Sequence, residues 1–416
     1  MNMISDNQTN IARLREKFNC HDAPRLAEQV GVVKPWIQPG VSSRFAYFAN
    51  DDRFVVVAGA QEGDKVAAAF AYGLTYRSGR KLLLVLPEHH ALATSQRAPW
   101  FSPDARPEIW QHSRTIATRM EAVEQEATIQ AFEEPRKGRA PHTELAAAST
   151  GLHLGSRSSA VSELVDWATT HRLLDPCHRK GERSWHCMGQ KVLSMKRTKT
   201  GLSISAGIHW KEPGKCLSVP VNCELGLSSS DLKLLQAEVE QGIELRLCGP
   251  FRRPDEHWLQ AVIRRNPKLV GVEQPALREL PAWRPQDSGR RWGRGYIDLI
   301  GMDGHGDIRV VETKIADNKD EILILQGLDY FIWAQAYDDA LRTRLGAATR
   351  AKFEINYVVG SNDGNHPKLS PFTNALAAGI DAKIRWRFQI VSNWQDADRQ
   401  PDKVRSEQLG PKTLPA

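Results

Sequence analysis

Three charged residues stand where a short apolar hairpin would gather them. The stretch W-G-R-G-Y-I-D-L-I-G-M-D-G-H-G-D-I-R-V-V-E-T-K, residues 292–314, carries Asp298 on its first half and Glu312 and Lys314 on its second. Residues i and i+2 of a strand point to one face, so Glu312 and Lys314 project together. Pairing Asp298 with Glu312 also matches Ile300 with Val310 and Met302 with Ile308, around a five-residue turn from Asp303 to Asp307. Slipping by one residue would oppose Ile300 to Arg309 and send Asp298 to the other face. The apolar match favours the first register, in which the three charges converge. Buried charges are costly unless paired or bound to metal, so the pattern suggests a divalent-cation site with a lysine beside it.

The elements around the hairpin can supply further groups. Residues 254–265 read as a helix with Pro254 in its first turn and a buried stripe of Leu259, Val262 and Ile263, and Glu256 borders that stripe. Residues 320–337 read as a second helix, with Ile322, Gln326, Tyr330 and Trp333 on one face. Residues 353–359 and 384–391 are strand-like.

Gly295-x-Ile297-Asp298-Leu-Ile followed by Val-Val-Glu312-Thr-Lys314 resembles the core of the PD-(D/E)xK nuclease superfamily, over residues of about 253 to 395. Ile297 stands where that pattern often has proline. Gln326 and Tyr330 resemble the Q-x-x-x-Y feature of RecB-like nucleases. The resemblance implies an α/β/α restriction-endonuclease-like core in which Asp298 and Glu312 hold Mg²⁺ or Mn²⁺ through hard oxygen ligands. Lys314 would orient or help deprotonate the attacking water, with Glu256 and Gln326 completing the catalytic set. Arg290, Arg291 and Arg294, by position and charge, are candidate phosphate clamps, and Tyr330 is a further candidate nucleic-acid contact.

The remaining composition bounds the reading. A chain of 416 residues with 41% hydrophobic and 25% charged content can build ample core, in about two or three domains. It has no run of about 18 apolar residues, so no membrane span is expected. Met1 to Asn10 lacks a secretory layout, and six widely spaced cysteines fit a reducing cytoplasm. The net charge of +7 favours a polyanionic partner. Basic residues concentrate at 179–199, and arginines 278, 284, 290, 291 and 294 abut the hairpin. DNA is the expected partner, with RNA and a homodimer both compatible.

In chain order, residues 1–135 predict a Rossmann-like α/β domain. It would contain a helix at 11–18, strands at 54–58 and 81–86 around a helix at 64–76, loop histidines His89 and His90, a strand at 108–111 and a helix at 114–132. The Pro/Gly/charge-rich stretch 133–141 reads as a linker. Residues 142–250 predict a basic, mixed α+β module. Its helices fall at 162–174 and 225–241, and its Cys177, His178, His186, Cys187, Cys216 and Cys223 match no zinc-knuckle spacing. An arginine-rich loop at 278–294 precedes the hairpin, and 396–416 predict a disordered tail. The leading expectation is a metal-dependent nuclease acting on DNA in defence or repair. The alternatives are a nucleic-acid-binding protein that retains the fold without catalysis, or a CRISPR-associated type of nuclease activated by a nucleotide through its N-terminal domain.

Overall fold

The computed structural model describes residues 2–133, 159–179, 182–199, 201–208, 217–222, 227–284, 293–315, 321–361 and 369–409. The chain is mixed α/β, with three sheets each drawn from one stretch of sequence.

The first stretch holds α1 (Asn2–Lys17), α2 (Ala23–Gln29), β1 (Ala46–Ala49), β2 (Arg53–Val57), α3 (Ala68–Tyr76), β3 (Lys81–Pro87), α4 (Glu88–Arg97), β4 (Glu108–His112), β5 (Ala117–Arg119) and α5 (Gln125–Glu133). Strands β2, β3 and β4 are parallel neighbours, flanked by antiparallel β1 and β5. Phe54–Val57 and Leu82–Leu86 are buried on both faces, which is why their apolar runs are continuous. Phe18, Leu26 and Val30 of the α1–α2 region cover Val55, Val57, Leu83 and Val85. Two expectations are corrected here. His89 and His90 lie in the first turn of α4 rather than in a loop; Glu88 beside them is the acid that a helix N-terminus favours. The helix expected over 114–132 is confined to α5, because Arg114 adopts a left-handed φ of 64° and turns the chain into β5.

The second stretch comprises α6 (Ser159–Thr170), β6 (Asp175–Arg179), β7 (Glu182–Cys187), β8 (Gln190–Arg197), β9 (Gly201–Ala206), β10 (Leu217–Asn222) and α7 (Ser229–Leu247). The strands form an antiparallel meander. Helix α7 starts at Ser228, whose hydroxyl accepts the Asp231 N–H, and buries Leu232, Leu235, Val239 and Ile243. Cys177 and Cys187 are buried and in no disulfide among the described residues, while Cys216 and Cys223 lie outside the described residues.

His186 in β7 is buried, with Nδ1 3.3 Å from the Gly189 carbonyl and Nε2 3.0 Å from the Ser184 hydroxyl. A neutral ring facing a carbonyl through Nδ1 must donate there and accept from Ser184. Burial, and then the charge of Arg278, push the imidazole down to about 3. In an unfolded chain histidine titrates near 6.5, so acid protonates the unfolded state first. The contribution of His186 is therefore full above about pH 6.5 and is lost as pH falls toward about 3, by up to about 1.4 kcal/mol per unit. His186→Gln should flatten this acid limb in urea titrations; an unaltered slope would refute the assignment.

The third stretch contains α8 (Glu256–Arg265), β11 (Glu273–Arg284), β12 (Gly293–Met302), β13 (Ile308–Ile315), α9 (Leu323–Ala336), α10 (Asp338–Leu345), β14 (Phe353–Gly360), α11 (Pro371–Gly379), β15 (Arg385–Ser392) and β16 (Arg405–Leu409). The strands lie side by side in chain order. Strands β13, β14 and β15 are parallel, and the other pairs are antiparallel. The predicted arginine-rich loop is corrected in part: 278–284 belong to β11 and 293–294 to β12, with 285–292 outside the described residues. The predicted disordered tail is also corrected. Trp394 is fully buried, its Nε1 donates to the Ser361 carbonyl at 2.9 Å, and β16 pairs with β15. A single large aromatic anchors a segment whose polarity otherwise suggests solvent; residues 410–416 lie outside the described set.

The sheets do not have separate cores. One apolar cluster joins Phe54, Phe70 and Trp100 to Ile297, Val310, Tyr357 and Phe388, so α3, α4 and α9 form a shared layer between the first and third sheets. Within it Arg97 of α4 grips Asp329 of α9 with two 2.8 Å bonds, Nε to Oδ1 and Nη2 to Oδ2, both side chains buried. A second cluster joins the other face of the third sheet, through α8, to the middle meander. Among the described residues no helix is long and apolar enough to cross a membrane.

Candidate active site

The β12–β13 hairpin has the anticipated register: Ile300 opposes Val310, Met302 opposes Ile308, and the turn is closed by the Asp303 N–H on the Asp307 carbonyl at 2.9 Å. Beyond Leu299 and Val311 the ladder gives way, and the local geometry departs from the simple hairpin. Ile297 and Ile300 both enter the core shared with α9, while Leu299 enters the core shared with α8. Strict alternation forbids this. The break coincides with Glu279, which lies across from Asp298 in the β11 register and has a left-handed φ of 47°.

Asp298 is thereby turned toward α8. Its Oδ1 accepts from Gln260 Nε2 at 2.8 Å, and its Oδ2 accepts from the Thr313 N–H at 2.9 Å and the Thr313 hydroxyl at 2.6 Å. Thr313 follows Val311 on the face toward α8. Glu312, buried, is opposite Tyr357 in the β14 register, and Tyr357 belongs to the core on the α9 side. The expected meeting of Asp298 with Glu312 on one face is therefore corrected: alternation places Thr313, not Glu312, beside Asp298.

Lys314 is the point on which the acids converge. Its ammonium donates to Glu256 Oε1 at 2.7 Å, joining the end of β13 to the first turn of α8. Burial alone would lower its pKa, but Glu312, then Glu256, then Asp298 raise it above the ordinary lysine value. Lys314 is thus a cation here rather than a lysine ready to take a proton. Asp298 shows the converse. Burial pushes its carboxyl up to about 6 against the Thr313 hydrogen bonds, with Glu256 adding to the rise. A buried carboxyl that resists ionising beside a second carboxylate suits a site that receives further positive charge.

The other anticipated residues separate. Gln326 on α9 has a buried Oε1 with no hydrogen-bond partner among the described residues. Tyr330 is 4% exposed, and its hydroxyl accepts the Tyr296 N–H at 3.2 Å. It braces β12 from within the core and offers no surface to nucleic acid, which corrects that expectation. Arg290 and Arg291 lie outside the described residues. Arg294 is on β12 opposite Trp283.

The Tyr330 brace depends on Gly295, where a Cβ would stand 2.4 Å from the hydroxyl oxygen. Gly295→Ala should cost about 1–3 kcal/mol through overpacking and displace the strand that carries Asp298. Thermal unfolding would check this, and a variant as stable as the parent would refute it.

Gln260 and Thr313 were not among the anticipated residues. Both had a signal: Gln260 is one helical turn beyond Glu256, and Thr313 is the central residue of Glu-Thr-Lys.

Two carboxylates, Asp298 and Glu256, and the lysine between α8 and β13 define the site, with Glu312 on the lysine's other side. Asp298 Oδ1 accepts one hydrogen bond and keeps acceptor capacity, so oxygen donors suited to a hard cation are present. Among the described residues no three His, Cys, Asp or Glu side chains form a group that could hold a metal ion. Compared with protein-family models, curated proteins and solved structures, the chain matches none.

Proposed function

We propose that the chain is a divalent-metal-dependent nuclease that hydrolyses phosphodiester bonds in DNA, built on a restriction-endonuclease-like core with a Rossmann-like N-terminal unit. The observation that carries this reading is the Lys314 ammonium held by Glu256 at the hairpin end, with Asp298 and Glu312 within its electrostatic reach. Asp298 and Glu256, the two carboxylates on the α8 side, would hold Mg²⁺ or Mn²⁺, which when bound would polarise the scissile phosphate and lower the pKa of water.

The chain's own residues have distinct tasks in this reading. Gln260 and Thr313 fix the rotamer of Asp298, so one acceptor oxygen is aimed without further ordering cost. Lys314 supplies a fixed positive charge and N–H donors toward a phosphate oxygen or the attacking water. Glu256 holds the lysine in place and gives up that contact when a substrate oxygen takes the ammonium.

The test is incubation of the purified protein with supercoiled, linear and single-stranded DNA, and with RNA, with and without Mn²⁺. Metal-dependent cleavage is expected, and nicked circles would identify endonuclease action. A second reading, a nucleic-acid-binding protein without catalysis, is favoured by the closed state of the acids: Asp298 accepts three protein hydrogen bonds and Glu256 is engaged by Lys314. Salt-sensitive DNA binding with no cleavage under either metal would select it.

A further inference from the structure

We infer that Arg264 and Arg278 form a receptor for one phosphate group beside Asp298, between α8 and β11 and against the middle meander. The inference rests on the nuclease reading only for the identity of the anion as a phosphodiester.

Residues 256, 260 and 264 are spaced by four on α8 and form one stripe. Its first member binds Lys314 and its second binds Asp298. Arg264 is the third. Arg278 approaches from β11, where it opposes Leu299, and Leu299 faces the core on the α8 side. Arg264 Nε and Nη1 and Arg278 Nε and Nη2 are buried atoms with no hydrogen-bond partner among the described residues. Buried guanidinium donors left unmade are costly, and two such groups near one another add repulsion.

Glu279, Asp175 and Asp298 compensate part of the Arg264 charge, but no hydrogen bond reaches these four nitrogen atoms among the described residues. Glu279 Oε1 is 3.6 Å from Arg278 Nη2, beyond hydrogen-bond distance, and Glu279 Oε2 takes the Cys177 thiol at 3.3 Å. Asp175 Oδ1 is engaged by Arg265 at 3.3 Å, and its Oδ2 is buried without a hydrogen-bond partner among the described residues. Burial, then Arg278, bring the Arg264 guanidinium down to about 10 against the pull of Glu279, Asp175 and Asp298. The neutral His186 ring lies within reach of both arginines and adds no charge. Two guanidinium groups with free N–H donors suit a tetrahedral oxyanion, which each can grip through two oxygens. A phosphate there would be a second backbone contact on the same helix face as the Asp298 site. It would set the register of a strand across the hairpin end.

Thermal unfolding of the full chain with inorganic phosphate, against chloride at equal ionic strength, tests the receptor directly. Fluorescence anisotropy of a labelled single-stranded oligonucleotide in EDTA tests it with a phosphodiester, free of cleavage. The parent should be stabilised by phosphate over chloride. Arg264→Gln and Arg278→Gln should abolish that response and weaken oligonucleotide binding roughly tenfold or more. Arg264→Met should leave the phosphate-free protein at least as stable as the parent, because it removes a buried cation whose Nε and Nη1 make no hydrogen bond among the described residues. Absence of a phosphate response in the parent, parent-like oligonucleotide affinity in both glutamine variants, or a clear destabilisation by Arg264→Met would each overturn the receptor. A parent that binds both probes and cuts nothing supports the receptor while sinking the nuclease reading. A parent that cuts, with glutamine variants that bind and cut equally well, does the reverse.

Discussion

Replacing Lys314 by alanine should reduce phosphodiester cleavage by about 10²–10⁴-fold without unfolding the protein. The lysine is where three acids meet: Glu256 at 2.7 Å, with Glu312 and Asp298 close enough to raise its pKa. Its removal takes away the fixed positive charge and leaves Glu256 without its bond. Glu256 is one-third exposed, so water can take the lysine's place there; Glu312 is buried and loses a countercharge, so the variant should be less stable but still folded. Arginine is a poor substitute, because its planar fork cannot present the same compact charge at the end of β13. Asp298→Ala and Glu312→Ala should lose cleavage to a similar degree. Single-turnover cleavage with Mn²⁺, alongside circular dichroism, reads both quantities. Parent-like cutting by all three variants would end the nuclease proposal.

The largest effect on folding should come from Asp329. Its carboxylate is fully buried against the Arg97 guanidinium, in a layer shared by the first and third sheets. Asp329→Ala removes the carboxylate that accepts two hydrogen bonds from buried Arg97 and should cost about 3–5 kcal/mol. The cost should appear as one cooperative urea transition shifted to lower midpoint, since one apolar cluster spans both sheets. The double variant Arg97→Met, Asp329→Leu should recover much of the loss, because an apolar pair can replace a buried ion pair once both charges are gone. A loss under about 1 kcal/mol would mean the pair contributes no more than an exposed one. Two separated transitions would mean that the sheets fold as independent units despite the common layer.

The local patterns were legible wherever one physical constraint dominates. Phe54–Val57 and Leu82–Leu86 read as buried parallel strands because both their faces are apolar, and they are. The hairpin register followed from matching Ile300 with Val310, since a slip would bury Arg309 against an isoleucine. The helical stripe put Glu256 on the border of the apolar side, and only the family resemblance pointed it toward the acids. The orientation of Asp298 was not legible. It depends on a left-handed residue, Glu279, in a neighbouring strand, and nothing in Ile-Asp-Leu reveals that partner. The Arg97–Asp329 pair spans 232 positions, beyond any local pattern. Tyr330 illustrates the limit of spacing arguments: a face shared with Gln326 located it on α9, but a buried hydroxyl bracing β12 requires knowing where Gly295 lies.

The final strand has a consequence for anyone who shortens the chain. Strand β16 pairs with β15 from Phe388 to Ser392, so it covers a row of amides and carbonyls that would otherwise lie open. Its own sequence, Arg-Ser-Glu-Gln-Leu, is short, charged and partly exposed, the kind of border that discourages further strands from adding on. Trimming at the polar segment after Gln395, as composition alone would invite, would strip this guard from β15. The result would be a sticky sheet margin, and such a truncation should aggregate in sedimentation runs where the full chain does not.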